Sequence, residues 1–569
     1  AWFARCQPGR SPYGLYAPSN FGSLAALASY PMIVERRLGV VDQGVAWSTL
    51  FGAFAVLCVV SGVWAIRCAA TADGDLLPAG TASGDNGPSP TPPDPRPLWL
   101  QRLFWVALPA CGTVLLLSIS AHLSQDVAPV PLLWVAPLAT YLTTFIIAFA
   151  GAAWRRRAVW VPAMIATSLA VAWTWHTTLP IGYLTHVALN LALLASAGMA
   201  CHGELAAMQP PPARLTSYYL ALAAGGALGG VLSAVAAPLA LGDNYELHLS
   251  IAAAWILVLA VMITDPHSRL YDGRNMPRLA AYLGLLLAMG VSMGVYVYHT
   301  RSEALVIDRN FYGTLKVREI DAAQPQLHHR MLVSGRVIHG AQFQSPSLRR
   351  IASQYYSPAS GVGLILTSQA AAGPRRVGVV GLGTATLAAY AERGDVYRLY
   401  EINPAVVRLA DRYFTFLADA RQRGASIECF LGDARLVLER QTPQQFDVLT
   451  IDAFTGDAVP AHLLTVEAFA LYLNHLAAPD GVIAVHVSNI HLDLTRVVQA
   501  VAQQHDLDAV SVESSPDGSP VGSLAVWVLL ARRGSAVLAI PTAKRLADSV
   551  PGDGVLWTDD VHSLVDVLR

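Results

Sequence analysis

Apolar positions follow two different regimes along the chain. Up to about residue 300 they run together in stretches long enough to cross roughly 30 Å of hydrocarbon as helices. These lie at about 46–66, 103–121, 129–150, 158–175, 180–201, 215–239, 249–264 and 279–298. A weaker run at about 13–33 is interrupted by Ser19, Asn20 and Pro31 and is expected to pack inside a bundle. The pattern predicts a helical region over 1–300 with eight or nine spans. Residues 69–98 interrupt it, because a segment so rich in Gly, Pro, Ser and Asp cannot bury a core and reads as a flexible linker.

From about 302 the runs become short and alternate with turn residues. Ala304–Ile307, Gly313–Ile320 and Arg330–Ile338 read as antiparallel strands of a small subdomain over 302–370. A helical stretch is expected near 347–356. Over 371–569 strands then alternate with helices: RVGVV, a helix from Thr384, VYRLYE, a helix from Pro404, SIECFL, a short helix, FDVLTID, a helix near 463–477, and GVIAVHVSN. That alternation predicts a parallel, doubly wound sheet.

Composition agrees with the split. The chain has 569 residues, 54% hydrophobic and 14% charged, against about a quarter charged in ordinary soluble domains. A net charge of -1 and the lack of a basic stripe argue against a nucleic-acid partner. The six cysteines are scattered without a CxxC pair, so neither a disulfide framework nor a zinc site is expected. The chain starts at Ala1 without a signal-peptide pattern and enters mid-pattern, as a fragment would.

Within the apolar half, Leu15–Pro31 matches Leu222–Pro238 at a shift of about 207 residues, aligning Gly22 with Gly229, Ser19 with Gly226 and Pro31 with Pro238. Small residues on one face allow close helix approach in lipid, and the repeat suggests two related bundles. His122, Asp126, His186, Asn190, His202 and Glu204 are polar groups that either mark a transport path or serve structure. Arg155, Arg156 and Arg157 favour a cytoplasmic loop. Counting crossings from there would put the C-terminal domain outside. The expectation is an inner-membrane protein with a cytoplasmic α/β domain and a miscounted or non-crossing span.

The candidate chemistry lies where the parallel strands end, which is where such sheets bind ligands. The first strand runs into Gly381-Leu382-Gly383-Thr384, whose glycines permit a tight turn and close backbone approach to a ligand at a helix start. The second ends at Glu401, a carboxylate placed to accept from both ribose hydroxyls. Asp433 ends the third, where it can accept from an adenine amino group or cap the next helix. Asp452 and Asp457 share the fourth loop and suit a cationic amine, one orienting it and taking its proton. No metal-ligand cluster, Walker loop or Ser-His-Asp arrangement is evident.

These motifs occur in an order that resembles the spermidine synthases: Asn310-Phe311-Tyr312-Gly313, Arg330–Arg336, His339-Gly340-Ala341-Gln342, Tyr355-Tyr356, the glycine turn, Glu401-Ile402-Asn403-Pro404, Gly432-Asp433-Ala434 and the Asp452 loop. The similarity is greatest to bacterial membrane-fused members, with a major-facilitator-like bundle whose first helices are missing here. The resemblance implies a multi-pass α-helical membrane bundle followed by an α/β Rossmann-like domain of the S-adenosylmethionine-dependent methyltransferase type, with a small N-terminal β-hairpin subdomain. It also implies an aminopropyltransferase that moves an aminopropyl group from decarboxylated S-adenosylmethionine to putrescine or another polyamine. In that scheme Gln342 and Tyr356 line the ligand pocket, Gly381, Gly383 and Thr384 form the nucleoside turn, Glu401 holds ribose and Asp433 adenine. Asp452 is the base and Asp457 a second amine ligand. No prosthetic group is implied, and a homodimer through the α/β domain is a further expectation.

The chain departs from the family where the tail of the co-substrate binds. Thr384 stands where the soluble enzymes carry an Asp, and a neutral hydroxyl attracts an ammonium far less than a carboxylate does. Asn403 replaces an Asp beside Glu401, and the second acceptor-loop Asp is displaced to Asp457. Two alternatives therefore stay open: an S-adenosylmethionine-dependent methyltransferase, and a polyamine or metabolite transporter or sensor with a nucleoside-binding regulatory domain.

Overall fold

The computed structural model describes residues 16–74, 94–124, 133–177, 181–211, 214–370, 373–454, 460–489, 491–515, 522–546 and 554–569. Asp126 and Asp457 lie outside the described residues. The chain divides near Tyr298 and His299 into two compact units.

The first unit is helical: α1 (Tyr16–Ser29), α2 (Val40–Gly74), α3 (Leu98–His122), α4 (Val135–Ala150), α5 (Arg157–Thr174), α6 (Tyr183–Ala207), α7 (Leu215–Val231), α8 (Glu246–Thr264) and α9 (Met276–Ser302). Among the described residues, seven helices are long and apolar enough to cross a membrane; Val135–Ala150 is apolar but shorter. Both halves of the sequence repeat end in a five-residue π-helical turn beside their proline, Tyr30–Val34 and Leu232–Ala236. Proline lacks the N–H that an α-helical register needs. Their glycines differ, however. A Cβ on Gly225 would lie 2.3 Å from the Val106 carbonyl oxygen and one on Gly229 2.5 Å from that of Ala110, whereas Gly22 has nothing within 4 Å. Close approach of α3 and α7 therefore depends on Gly225 and Gly229. Gly225→Val should destabilise the helical unit by about 1–3 kcal/mol or more, as overpacking does. Gly22→Val serves as the neutral control, both read as the melting temperature of the detergent-solubilised chain.

Arg157 does not stand free in a basic loop. It opens α5 and pairs with Glu204 at 2.5 Å and Asp265 at 2.5 Å, while Arg155 donates to the Ala206 carbonyl. Two of the three charges behind the orientation argument are thus engaged within the helical unit. His202 is buried, with Nδ1 2.9 Å from the Thr144 hydroxyl, and the His122 and His186 rings lie 6.2 Å apart.

The second unit opens with an antiparallel sheet, β1 (Ala304–Asn310), β2 (Gly313–Ile320), β3 (His329–Ser334) and β4 (Val337–Phe343), paired in that order. The run read as one strand over Arg330–Ile338 is a hairpin, because Gly335 takes φ 57 and reverses the chain. No helix forms over 347–356; the helix comes later, α10 (Gly361–Ala370).

The main sheet holds β5 (Arg376–Val380), β6 (Val396–Glu401), β7 (Ser426–Leu431), β8 (Val448–Ile451), β9 (Val482–His486), β10 (Leu507–Ser514), β11 (Ala525–Arg532) and β12 (Lys544–Arg545). Its order is β12-β10-β11-β9-β8-β5-β6-β7, with β5 to β9 parallel and the last three strands antiparallel. Alternate residues feed opposite faces. Val377, Val379, Val448 and Val482 join one core, and Val380, Leu449, Ile451 and Ile483 the other, as a sheet covered on both sides requires. Helices α11 (Pro404–Tyr413), α12 (Phe416–Arg423), α13 (Ala434–Glu439), α14 (Val466–His475) and α15 (Leu494–Gln504) connect the strands. The order reverses between β5 and β8, the switch point at which sheets of this kind open a crevice.

Candidate functional site

At that switch point β5 runs into the glycine turn, and both glycines are required by close backbone approach. Gly381 has φ 95 and a Cβ there would sit 2.2 Å from the Asp452 carbonyl oxygen. Gly383 has φ 52 and its Cβ would sit 2.3 Å from the His339 carbonyl oxygen. The turn thus seats against the β8 loop on one side and β4 on the other. The helix expected from Thr384 does not form. Ala385 adopts the left-handed region at φ 61, and the chain makes only a five-residue 3-10 turn, Thr386–Tyr390. A helix N-terminus therefore does not face the crevice here, and the N–H groups of Gly381, Leu382, Thr384 and Ala385 already donate within the protein.

Thr384 is buried, its N–H donates to the His339 carbonyl at 3.2 Å and its hydroxyl meets that of Thr386 at 2.7 Å. A Cβ on Gly340 would lie 2.1 Å from the Thr384 Oγ1. The side chain is packed under β4 with its polar group already partnered.

Glu401 ends β6 and braces the turn. Its Oε2 accepts from the Leu382 N–H at 3.0 Å and its Oε1 from the Asn403 N–H at 2.8 Å, leaving each oxygen further lone-pair capacity. Burial pushes its carboxyl above the ordinary value, against the pull of those backbone donors. Asn403 caps α11 by accepting from the Ala405 N–H and also accepts from Asn310 Nδ2 at 2.7 Å, which ties the β1–β2 turn to the end of β6.

Asp433 takes the capping role for α13, accepting from the Leu436 N–H at 3.0 Å, and its other oxygen meets His462 Nε2 at 2.9 Å. Gln342 is buried and its amide is fully engaged, donating to the Arg349 carbonyl and Thr415 hydroxyl and accepting from the Thr415 N–H. It fastens β4 to the start of α12. The remaining residues converge on Asp452.

Asp452 is buried at the end of β8. Tyr356 donates its hydroxyl to Oδ2, and burial raises that phenol well above its usual range, so it remains a donor. On the other side Oδ1 lies 2.8 Å from His486 Nδ1, and His486 Nε2 lies 2.8 Å from the Ser488 hydroxyl. The imidazole is held between Tyr355, 4.8 Å away and stacked, and Trp527, 4.7 Å away and stacked, with Phe454 edge-on at 5.1 Å. An Asp–His–Ser chain is thus present although sequence spacing shows none. Tyr355 belongs to the Tyr355-Tyr356 motif, whereas His486 and Ser488 do not stand out in the sequence. The one signal it carries for them is a lone titratable ring at the tip of the apolar strand GVIAVHVS. Among the described residues no three His, Cys, Asp or Glu side chains gather as metal ligands would.

No family model matches the chain. A polyamine aminopropyltransferase of Vibrio vulnificus is 30% identical over 154 residues, 26% of this chain and 48% of that protein. An N-terminal histidine N-methyltransferase of Emericella nidulans is 35% identical over 113 residues, 19% of each chain. A solved spermidine synthase in complex with the transition state analogue AdoDATO aligns over 42% of this chain and 74% of its own, at 14% identity and a TM-score of 0.28. The chain spans about half the length of the first relative and about a fifth of the second. Part of the chain therefore has the spermidine synthase-like, S-adenosylmethionine-dependent methyltransferase type of fold.

Proposed function

We propose that the α/β unit is a group transferase that binds an adenosyl-sulfonium co-substrate at the β5–β8 switch point and alkylates an amine, with Asp452 receiving the amine proton. The observation that carries this is the buried Asp452 carboxylate, held by Tyr356 and His486, beside a glycine turn that is itself braced by Glu401. In the reaction the amine nitrogen donates its lone pair to the carbon next to sulfur. The C–S bond breaks with its electrons going to sulfur, which leaves a neutral thioether, and the new ammonium gives a proton to Asp452. On this reading decarboxylated S-adenosylmethionine is the donor and a polyamine the acceptor, Glu401 holds the ribose, Asp433 lies on the adenine side, and Gln342 supports the pocket wall.

Methyl transfer from S-adenosylmethionine is the second reading. It is favoured by Thr384, a buried neutral side chain already bonded to Thr386, in the turn where a tail-binding carboxylate would be needed. Incubating the purified chain with both donors and a panel of amines separates the two. Methylthioadenosine supports aminopropyl transfer, S-adenosylhomocysteine supports methyl transfer, and neither product removes the transferase reading. The seven long apolar helices support a membrane-anchored protein, with the α/β unit in the cytoplasm where adenosyl donors are made.

Glu401 gives this proposal a pH dependence. Its carboxyl is raised by burial, so it takes a proton above the ordinary glutamate value of about 4.3. The protonated form loses acceptor capacity for a ribose hydroxyl. Calorimetric affinity for the adenosyl donor should therefore fall as pH is lowered, beginning above that value. Glu401→Gln should bind weakly throughout with this dependence gone; an unchanged profile in the variant would remove Glu401 from the ribose.

A further inference from the structure

Resting on the transferase reading above, we infer that His486 is the positioning residue for Asp452, an imidazole that presents Nδ1–H to the carboxylate while Ser488 donates to its Nε2. The hydrogen-bond direction can be followed atom by atom. The Val526 N–H donates to the Ser488 Oγ at 2.7 Å, so that oxygen has its own proton left to give. The nearer acceptor is His486 Nε2 at 2.8 Å; the Val526 carbonyl is 3.5 Å away. With Nε2 accepting, the ring proton sits on Nδ1 and points at Asp452 Oδ1, 2.8 Å away. Tyr356 closes the other end on Oδ2. The chain runs from a backbone amide of β11 to the carboxylate without a mismatched donor or acceptor.

The ring cannot easily turn away. Tyr355 and Trp527 cover its two faces, and His486 is itself paired in the sheet with Trp527. Tyr355 is anchored in turn through its hydroxyl to the Ile338 carbonyl at 2.7 Å, and Trp527 through Nε1 to the Tyr355 carbonyl at 3.0 Å. Two donors from opposite sides fix both carboxylate oxygens in rotation and leave their remaining lone pairs for the amine. His486 touches Asp452 and not the amine, so it acts on the reaction through the angle and hydrogen bonding of the base.

Asparagine and glutamine separate this role from packing. Asn carries its amide nitrogen where Nδ1 stands and keeps the arm to Asp452; Gln reaches toward Nε2 and keeps only the arm to Ser488. In the full-length protein in liposomes, His486→Asn should retain kcat within about tenfold. His486→Gln and His486→Ala should lose about 10²-fold, the scale of a misplaced catalytic group, with the KM for the adenosyl donor unchanged in all three. Equal loss in the Asn and Gln variants, or full activity in the Ala variant, would overturn the proposal. A readout without turnover distinguishes failure of this inference from failure of the transferase reading. In solid-state NMR of the full chain labelled with ¹⁵N-histidine, the signal lost in His486→Asn should be that of an Nδ1–H tautomer. An Nε2–H tautomer there overturns the assignment whether or not the protein transfers anything.

Discussion

Asp452→Asn is expected to lower kcat for amine alkylation by about 10²–10⁴-fold, the range supplied by a positioned general base, with affinity for the adenosyl donor nearly unchanged. The structure allows this variant to fold. An amide at 452 would keep one oxygen to accept from Tyr356, and its NH₂ would face His486. The imidazole can answer by moving its proton from Nδ1 to Nε2, because the Ser488 hydroxyl can rotate to accept from Nε2 and donate to the Val526 carbonyl at 3.5 Å. The network stays satisfied while the proton acceptor is lost. Methylthioadenosine or S-adenosylhomocysteine release, measured at saturating amine, reads the loss, and donor affinity by calorimetry reads what is kept. Turnover equal to the parent would remove Asp452 from the reaction.

The glycine turn and Glu401 are legible in the sequence because their constraint is local. A backbone reversal at Gly381 and a carboxylate at a strand end are written in neighbouring residues. The partners of Asp452 are not. Tyr356 lies 96 residues before it and His486 34 residues after it, and only the strand order of the sheet brings them to one point. Hydropathy also misjudges a short apolar run. Val337 and Ile338 look continuous with Arg330–Val333, yet Gly335 takes the positive φ that turns β3 into β4. The antiparallel pair β10 and β11 escapes the pattern of alternating strands and helices, although β11 places Trp527 against His486 and the Val526 amide against Ser488. In the helical unit, hydropathy locates the long apolar helices but cannot reveal that Arg157 is held by Glu204 and Asp265, since a run of arginines reads as solvated charge.

Arg375 carries the largest stability effect expected in the α/β unit. Arg375 is 3% exposed and pairs with Asp395, 1% exposed, at 2.5 Å. Asp395 also accepts from the Arg375 N–H at 2.7 Å and the Glu392 N–H at 3.0 Å, while the guanidinium donates to the Leu366 and Tyr390 carbonyls. The pair joins the entry of β5 to the entry of β6, whose far ends are the glycine turn and Glu401. Asp395→Ala leaves a buried cation and stranded amides, and breaking such a pair costs about 3–5 kcal/mol. If β5 and β6 open with the global transition, that cost corresponds to amide exchange about 10²–10⁴-fold faster across both strands, readable by hydrogen exchange and mass spectrometry on the full chain. Replacing both partners, as Arg375→Met with Asp395→Leu, should restore much of the protection, because the penalty comes from the uncompensated charge and not from the absence of an ion pair. If the double variant exchanges as fast as Asp395→Ala, the two side chains matter through their shape or their backbone contacts, and the ion-pair account of this corner of the sheet is wrong.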